Sequence, residues 1–103
     1  MQANRETFQL ADAPGAGGSM PVDRYTFKSV HILPGGGSPS YDLEMSFDGT
    51  NWIAHTSAIT GETLITTEDV TNPLPKAIMF LRLVTGTAGT GAPSAVMFGH
   101  DPA

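Results

Sequence analysis

The sequence contains no cysteine, has few basic residues and lacks a long apolar run. Among its 103 residues, Lys and Arg number 5 against 10 Asp and Glu, which gives a formal net charge of −5. The lack of cysteine excludes disulfides and thiolate metal sites. Phosphate contacts require clustered cations, so we expect no nucleic-acid partner. The longest apolar run, residues 77–81, is far below the roughly 20 residues of a membrane-spanning helix, so we expect no membrane partner.

Apolar residues are also scarce, and turn-forming residues are abundant. The apolar share is 40%, with 12 Gly and 8 Pro. This composition favours short strands joined by turns over long helices. A chain of this length forms one domain.

Residues 40–47 show the clearest pattern in the chain. Tyr41, Leu43, Met45 and Phe47 alternate with polar residues, which predicts a strand with one buried face. Asp48 and Gly49 then supply a turn, because Gly tolerates a positive φ and Asp bonds its own backbone. Trp52 begins the return strand. We predict a β-hairpin in which three residues form the turn and core, namely Asp48, Gly49 and Trp52.

Further strands are predicted around this hairpin at residues 5–10, 23–33, 62–67, 76–85 and 94–99. Tyr25 and Phe27 stand at odd positions, whereas Val30 and Ile32 stand at even ones. This shift predicts a bulge near Ser29 or a strand covered on both sides. Residues 76–85 are apolar on both parities, which fits a buried strand or a buried helix; the preceding Pro75 favours the strand. The fold class is all-β, a small antiparallel β-sandwich or barrel of about six to eight strands.

The leading segment differs in composition from the rest. Residues 1–22 are rich in Gly, Ala and Pro, which predicts a flexible, extended N-terminal arm before a β-sandwich domain at residues 23–103. The arm either orders on a neighbouring subunit or is a frayed terminus.

Residues with chemistry-bearing side chains are scattered. His31, His55 and His100 lack the spacing of zinc ligands, although His31 and His55 can meet across strands. Asp42 and Glu44 share one strand face, which favours a solvated sheet surface over a calcium site. We therefore predict no catalytic residue, no metal and no cofactor, and a protein that is not an enzyme.

Two short segments carry a resemblance to a known class. The hairpin supplies Ser46, Asp48, Gly49, Thr50 and Trp52, and the later apolar strand supplies Arg82, Leu83, Thr85 and Gly86. This pattern resembles the small β-sandwich structural proteins of tailed bacteriophages. The resemblance implies a virion component on the capsid surface, made in the host cytoplasm: a capsid decoration (cement) protein, or a head or tail accessory protein. It implies the major capsid protein as a partner and a homo-oligomer, with a trimer favoured.

Candidate contacts with other subunits follow from this resemblance and from apolar residues near the arm. They are Phe8, Leu10, Met20, Tyr25, Phe27, Ile78 and Phe80. Plain core packing is the alternative for each. A different function is a ligand-binding β-sandwich, such as a carbohydrate-binding or tail adhesin module, with Trp52 and Tyr41 as stacking platforms. The alternation described above places Tyr41 inside, which argues against that function.

Overall fold

The molecule consists of two antiparallel β-sheets, which confirms the predicted all-β sandwich. The computed structural model describes residues 3–91 and 93–100. Residues 1, 2, 92 and 101–103, which include parts of the predicted arm, of a Gly/Thr-rich loop and of the tail, lie outside the described residues. Within the described ranges, no helix is long and apolar enough to cross a membrane.

Nine strands are present in the described residues, two of them only two residues long. They are β1 Ala3–Thr7, β2 Gly15–Ala16, β3 Met20–Pro21, β4 Phe27–Leu33, β5 Ser40–Ser46, β6 Ile53–Ile59, β7 Thr63–Thr66, β8 Phe80–Thr87 and β9 Ser94–His100.

The chain passes back and forth between the two sheets. The four-stranded sheet has the order β1-β9-β4-β7. The five-stranded sheet has the order β2-β8-β5-β6, and β3 also pairs with β8. The chain therefore changes sheet between most successive strands, except from β2 to β3 and from β5 to β6, and most pairings join residues far apart in sequence.

The core lies between the sheets, and burial follows the period of two most clearly along β4, β8 and the first half of β5. The four-stranded sheet contributes Val30, Ile32, Ile65, Ala95 and Met97, and the five-stranded sheet contributes Tyr41, Leu43, Leu81 and Leu83. Leu74 and Ile78 close one end from the connection before β8. These buried side chains supply the main stabilisation, at about 1.5–3 kcal/mol for each large one.

Residues 3–22 are part of both sheets, which differs from the predicted flexible arm. β1 pairs with β9 from Ala3↔His100 to Thr7↔Val96, and β2 and β3 pair with β8. Phe8 is buried in the core. The small residues allow this because they let backbones approach closely. A Cβ at Gly17 would lie 2.0 Å from the Gln9 carbonyl oxygen.

β4 contains no bulge, contrary to the expectation near Ser29. Its register with β9 runs without interruption from Phe27↔His100 to Leu33↔Ser94. Tyr25 lies before the first residue of β4, so its odd position does not indicate which face of the strand is buried. The inward positions are Lys28, Val30 and Ile32. The irregularities lie instead in the pairings of β5.

Lys28 is therefore a charged residue on an inward strand position, and it is 1% exposed. Its Nζ donates to the Lys76 carbonyl oxygen at 3.0 Å. Its backbone N–H donates to Thr67 Oγ1 at 3.3 Å. Burial lowers the pKa of the Lys28 ammonium below its ordinary value, because the low-dielectric interior disfavours the charged form. Lys28 thus ties β4 to the loop that closes the core, at an electrostatic cost.

We expect Lys28→Met to raise the free energy of unfolding near neutral pH and to change its pH dependence. In the native protein the Lys28 pKa lies below 10.5, its unfolded value. The unfolded state therefore binds more protons between those two pKa values, and native stability rises with pH in that window. The advantage of Lys28→Met should shrink as pH rises toward 10.5. Urea unfolding at a series of pH values measures it, with the exposed Lys76→Met as the control; a constant difference would contradict the prediction.

Gly99 provides a second test of the packing. A Cβ there would lie 2.5 Å from Cγ of the buried Tyr25 ring, so Gly99→Ala should destabilise the fold by about 1–3 kcal/mol through overpacking. Gly61 has open space around its Cβ position, and Gly61→Ala should stay within about 0.5 kcal/mol of the native protein. Equal urea midpoints for the two variants would show that the Tyr25 ring does not constrain β9.

Candidate interaction surfaces

The turn between β5 and β6 is closed by two side chains. Ser46 Oγ accepts hydrogen bonds from the backbone N–H groups of Asp48 and Gly49, at 3.2 and 2.8 Å. Asp48 Oδ1 accepts from the N–H groups of Thr50 and Asn51, each at 2.8 Å. Asp48 Oδ2 accepts from Asn51 Nδ2 at 2.7 Å. Gly49 has a φ of 81°. The structure thus places the predicted turn residues Asp48 and Gly49 in the turn.

These hydrogen bonds also fix the charge of Asp48. Donation from the Asn51 and Thr50 backbone, then from the Asn51 and Ser46 side chains, holds the pKa of the Asp48 carboxyl well below its ordinary value. Each donor stabilises the ionised form. The carboxylate therefore serves the turn, and its oxygens are committed to donors of this chain.

Trp52 lies beside the outer face of the five-stranded sheet, and not in the predicted core. The Arg82 guanidinium carbon is 4.1 Å from the centre of the Trp52 ring. Arg82 Nε and Nη2 donate to Glu44 Oε1 at 2.8 and 2.7 Å. Phe47, expected on the buried face, is exposed. The alternation stops at Ser46 because the turn draws the chain out of the strand.

The predicted subunit contacts contribute mostly to the core of the single chain. The structure buries four of them and leaves three half-buried. The buried ones are Phe8, Met20, Tyr25 and Ile78, and the half-buried ones are Leu10, Phe27 and Phe80. The buried side chains have almost no surface left to offer a second subunit. The strand predicted at residues 76–85 begins at Phe80, and it lies between β5 and the β2–β3 segment.

The three histidines lie apart and have different partners. His31 Nε2 is 2.7 Å from Glu62 Oε2, and the His55 ring contacts Thr56 Oγ1 and the Pro73 carbonyl oxygen. His100 stacks on Phe27 with ring centres 5.1 Å apart. His31 and His55 lie in different sheets. Among residues 3–91 and 93–100, no group of three His, Cys, Asp or Glu is placed to hold a metal.

Large apolar side chains remain exposed in two places. The first set is Leu33, Leu64 and Phe98 on the four-stranded sheet, here called the face patch. Leu64 pairs with His31, and His31 with Val96, so these three side chains share one face. Leu33 and Phe98 lie on the same face at alternate positions of β4 and β9. A shallow depression of about 370 Å³ is lined by His31, Glu62, Leu64 and Phe98.

The second set, here called the tip patch, lies at the β5–β6 turn and in the connection between β7 and β8. It consists of Phe47, Ile53, Val70 and Met79, which are between 36% and 98% exposed. The Met79 N–H donates to the Ser46 carbonyl oxygen at 3.3 Å, next to Phe47. The loop that carries Val70 is held against β6 by Asn72 Nδ2, which donates to the His55 carbonyl oxygen at 3.1 Å.

The sequence pattern does not predict either patch, because it does not show which face of a strand is left uncovered. Residues 95–98 are all apolar, so their pattern does not tell the inner face from the outer one. Leu64 and Val70 lie among Thr, Glu and Asp, where an isolated apolar residue is unremarkable. The signal appears only when the register shows which residues share an uncovered face.

Comparison of the chain with protein-family models gave no match, and neither did comparison with curated proteins or with solved structures. The fold itself defines the class: a small, all-β protein of two antiparallel sheets with two exposed apolar patches.

The turn carboxylate gives a test by pH. Asp48→Asn should lower the urea midpoint of unfolding at neutral pH, because the neutral amide accepts the turn hydrogen bonds less strongly. The native Asp48 pKa lies below the ordinary 3.8, so its stabilisation is present above that pH and is lost as pH falls through the folded pKa. The difference between the native protein and Asp48→Asn should therefore shrink on acidification below 3.8.

Asp12 is the matched control, since its carboxylate is exposed. We expect Asp12→Asn to leave the midpoint nearly unchanged throughout this pH range. A variant Asp48→Asn that unfolds at the native midpoint at neutral pH would show that the turn holds without the charge.

Proposed function

We propose that this protein is a non-enzymatic structural component of a bacteriophage virion, a capsid decoration (cement) protein. It binds the major capsid protein on the head surface and stabilises the shell as a symmetric oligomer. The observation that carries the proposal is the division of the exposed apolar side chains into two separate patches. The resemblance of the hairpin and of the Arg82 strand to phage structural proteins supports the assignment to a phage virion.

Two patches suit a protein that attaches to a repeating surface. Such a protein needs one surface for the shell and another for copies of itself, because linking weak sites increases avidity without a deep pocket. The tip patch is built from a hairpin turn and loops, which adapt to a partner more readily than a sheet does. We assign the tip patch to the capsid.

The charge around the tip patch indicates the chemistry of its partner. Glu68 and Asp69 directly precede Val70. Asp69 accepts hydrogen bonds from the N–H groups of Thr71 and Asn72, which lower the pKa of its carboxyl and keep it ionised. Asp48 lies next to Phe47 and is also ionised. An apolar centre with an acidic border fits a capsid surface that presents an apolar recess beside Lys or Arg.

The ligand-binding alternative requires exposed aromatic platforms. Tyr41 is 3% exposed, and the Arg82 guanidinium covers one face of the Trp52 ring. Arg82 is held in that position by its bond to Glu44, so only the opposite face of a half-buried ring is left for a sugar. These contacts support the structural protein over a carbohydrate-binding module.

The proposal predicts binding to undecorated capsids of a phage that encodes this chain, and a gain in their heat resistance. Val70→Asp should weaken capsid binding by about tenfold or more, because it replaces an apolar contact worth about 1.5 kcal/mol with a charge. Ala88→Asp adds the same charge at another exposed loop and should leave binding unchanged.

Co-sedimentation with the capsids measures binding, and the temperature of genome release measures resistance. A native protein that neither binds nor protects capsids would refute the proposal. Equal binding by Val70→Asp and by the native protein would remove the tip patch as the contact.

A further inference from the structure

The outer face of the four-stranded sheet can be drawn as a grid, because paired residues of an antiparallel sheet point the same way. One row crosses the strands through Arg5, Phe98, Ser29 and Thr66. The next outward row contains Thr7, Val96, His31 and Leu64. A third contains Ser94 and Leu33, with Glu62 beyond the start of β7 on the same side as His31.

Opposite charges occupy opposite corners of this grid. Arg5 lies on β1 in the first row, and Glu62 lies next to β7 at the level of the third. Strands are about 4.8 Å apart and alternate residues about 6.8 Å apart, so the two residues are separated by about 14 Å in each direction. The face is therefore nearly square, and Arg5 and Glu62 of one chain are about 20 Å apart, too far to pair.

A square face of this kind is complementary to itself. A two-fold axis along the other diagonal, from the Thr66 corner to the β1 side of the face at the level of Ser94, places Arg5 of each copy over Glu62 of the other. The same axis brings Phe98 of each copy to within about 3 Å, in projection, of Leu64 of the other. The strands of the two copies then cross at about 90°, which is one of the two usual ways that sheets pack.

The depression on the face fits this arrangement. It lies among His31, Glu62, Leu64 and Phe98, at the place where the second copy would bring its own Phe98. An aromatic ring placed there would cover the exposed Leu64. Each such contact occurs twice in the two-fold pair.

We infer that the face patch is a self-association surface, at which two copies of this chain pack orthogonally through Phe98–Leu64 contacts and Arg5–Glu62 ion pairs. The inference extends the proposed function, since it supplies the symmetric oligomer that attaches to the shell through its tip patches. It differs from the contacts predicted at Ile78 and Phe80, and it assigns two-fold symmetry where the resemblance implies a trimer.

The size of the face sets the expected affinity. Four strands by three rows cover about 400 Å² per copy, against about 800 Å² per partner in a standard stable interface. We therefore expect a dimer with a micromolar Kd that dissociates on dilution, and not a permanent assembly.

Sedimentation equilibrium of the purified protein from about 1 μM to about 1 mM tests this directly. The native chain should pass from monomer to dimer mass across this range. Phe98→Ser and Leu64→Ser should each weaken dimerisation by about tenfold or more, because each removes two apolar contacts from the dimer. Val70→Ser removes an even more exposed apolar side chain from the tip patch, and it should leave the dimer unchanged.

A charge exchange tests the orientation of the two copies. Arg5→Glu and Glu62→Arg should each weaken the dimer by several-fold, since each creates two like-charge contacts. The double variant Arg5→Glu/Glu62→Arg should restore it. Loss of the His31–Glu62 contact within one chain cannot produce this rescue, because the double variant lacks that contact too. Urea unfolding of each variant verifies that the fold is retained.

Three outcomes would overturn the inference: a monomer at all concentrations, a trimer, or a double variant no stronger than the single ones. The capsid is absent from this experiment. Failure here therefore leaves the capsid-binding proposal standing, and failure to bind capsids leaves the dimer standing.

Discussion

Both sheets depend on the backbone hydrogen bonds of two late strands. β8 pairs with β5 on one side and with β2 and β3 on the other, and β9 lies between β1 and β4. Removing either strand would leave its neighbours with unpaired N–H and C=O groups, which cost about 1–3 kcal/mol each when buried. The inward side chains of the same strands, Leu81, Leu83, Ala95 and Met97, form the middle of the core. Backbone pairing and apolar burial therefore coincide on β8 and β9.

The leading segment shows how such pairing acts on a sequence with little to pack. β1 has no large apolar residue, and its place is set by the ladder to β9, with Phe8 as the first buried anchor. The glycines that suggested flexibility instead permit contact, as at Gly17 against Gln9. Composition indicates how flexible an isolated segment is. Pairing with the edge of a neighbouring strand removes that flexibility in the folded protein.

Much of the fold was predictable because alternation reports burial on a half-covered strand. Tyr41 and Leu43 are inward as expected, and the Asp48–Gly49 turn follows from local chemistry. Lys28 was not predictable, since an inward lysine breaks the pattern and depends on a carbonyl 48 residues away. The exposure of Phe47, Phe98 and Leu64 could not be predicted from the sequence either, because hydrophobicity alone does not tell a buried face from an exposed one.

The order of the strands along the chain has a consequence for synthesis on the ribosome. β1 must wait for β9, and β2 and β3 must wait for β8, so neither sheet has its central strand until most of the polypeptide has been made. The hairpin β5–β6 is the one substantial local pairing available earlier. A nascent chain that has emerged only as far as β7 can therefore form the β5–β6 hairpin and the β4–β7 pair, but it lacks the strands with which β1, β2 and β3 pair. We therefore expect both sheets to be completed only after residues 94–100 leave the exit tunnel, and truncated chains to be the species most prone to aggregation.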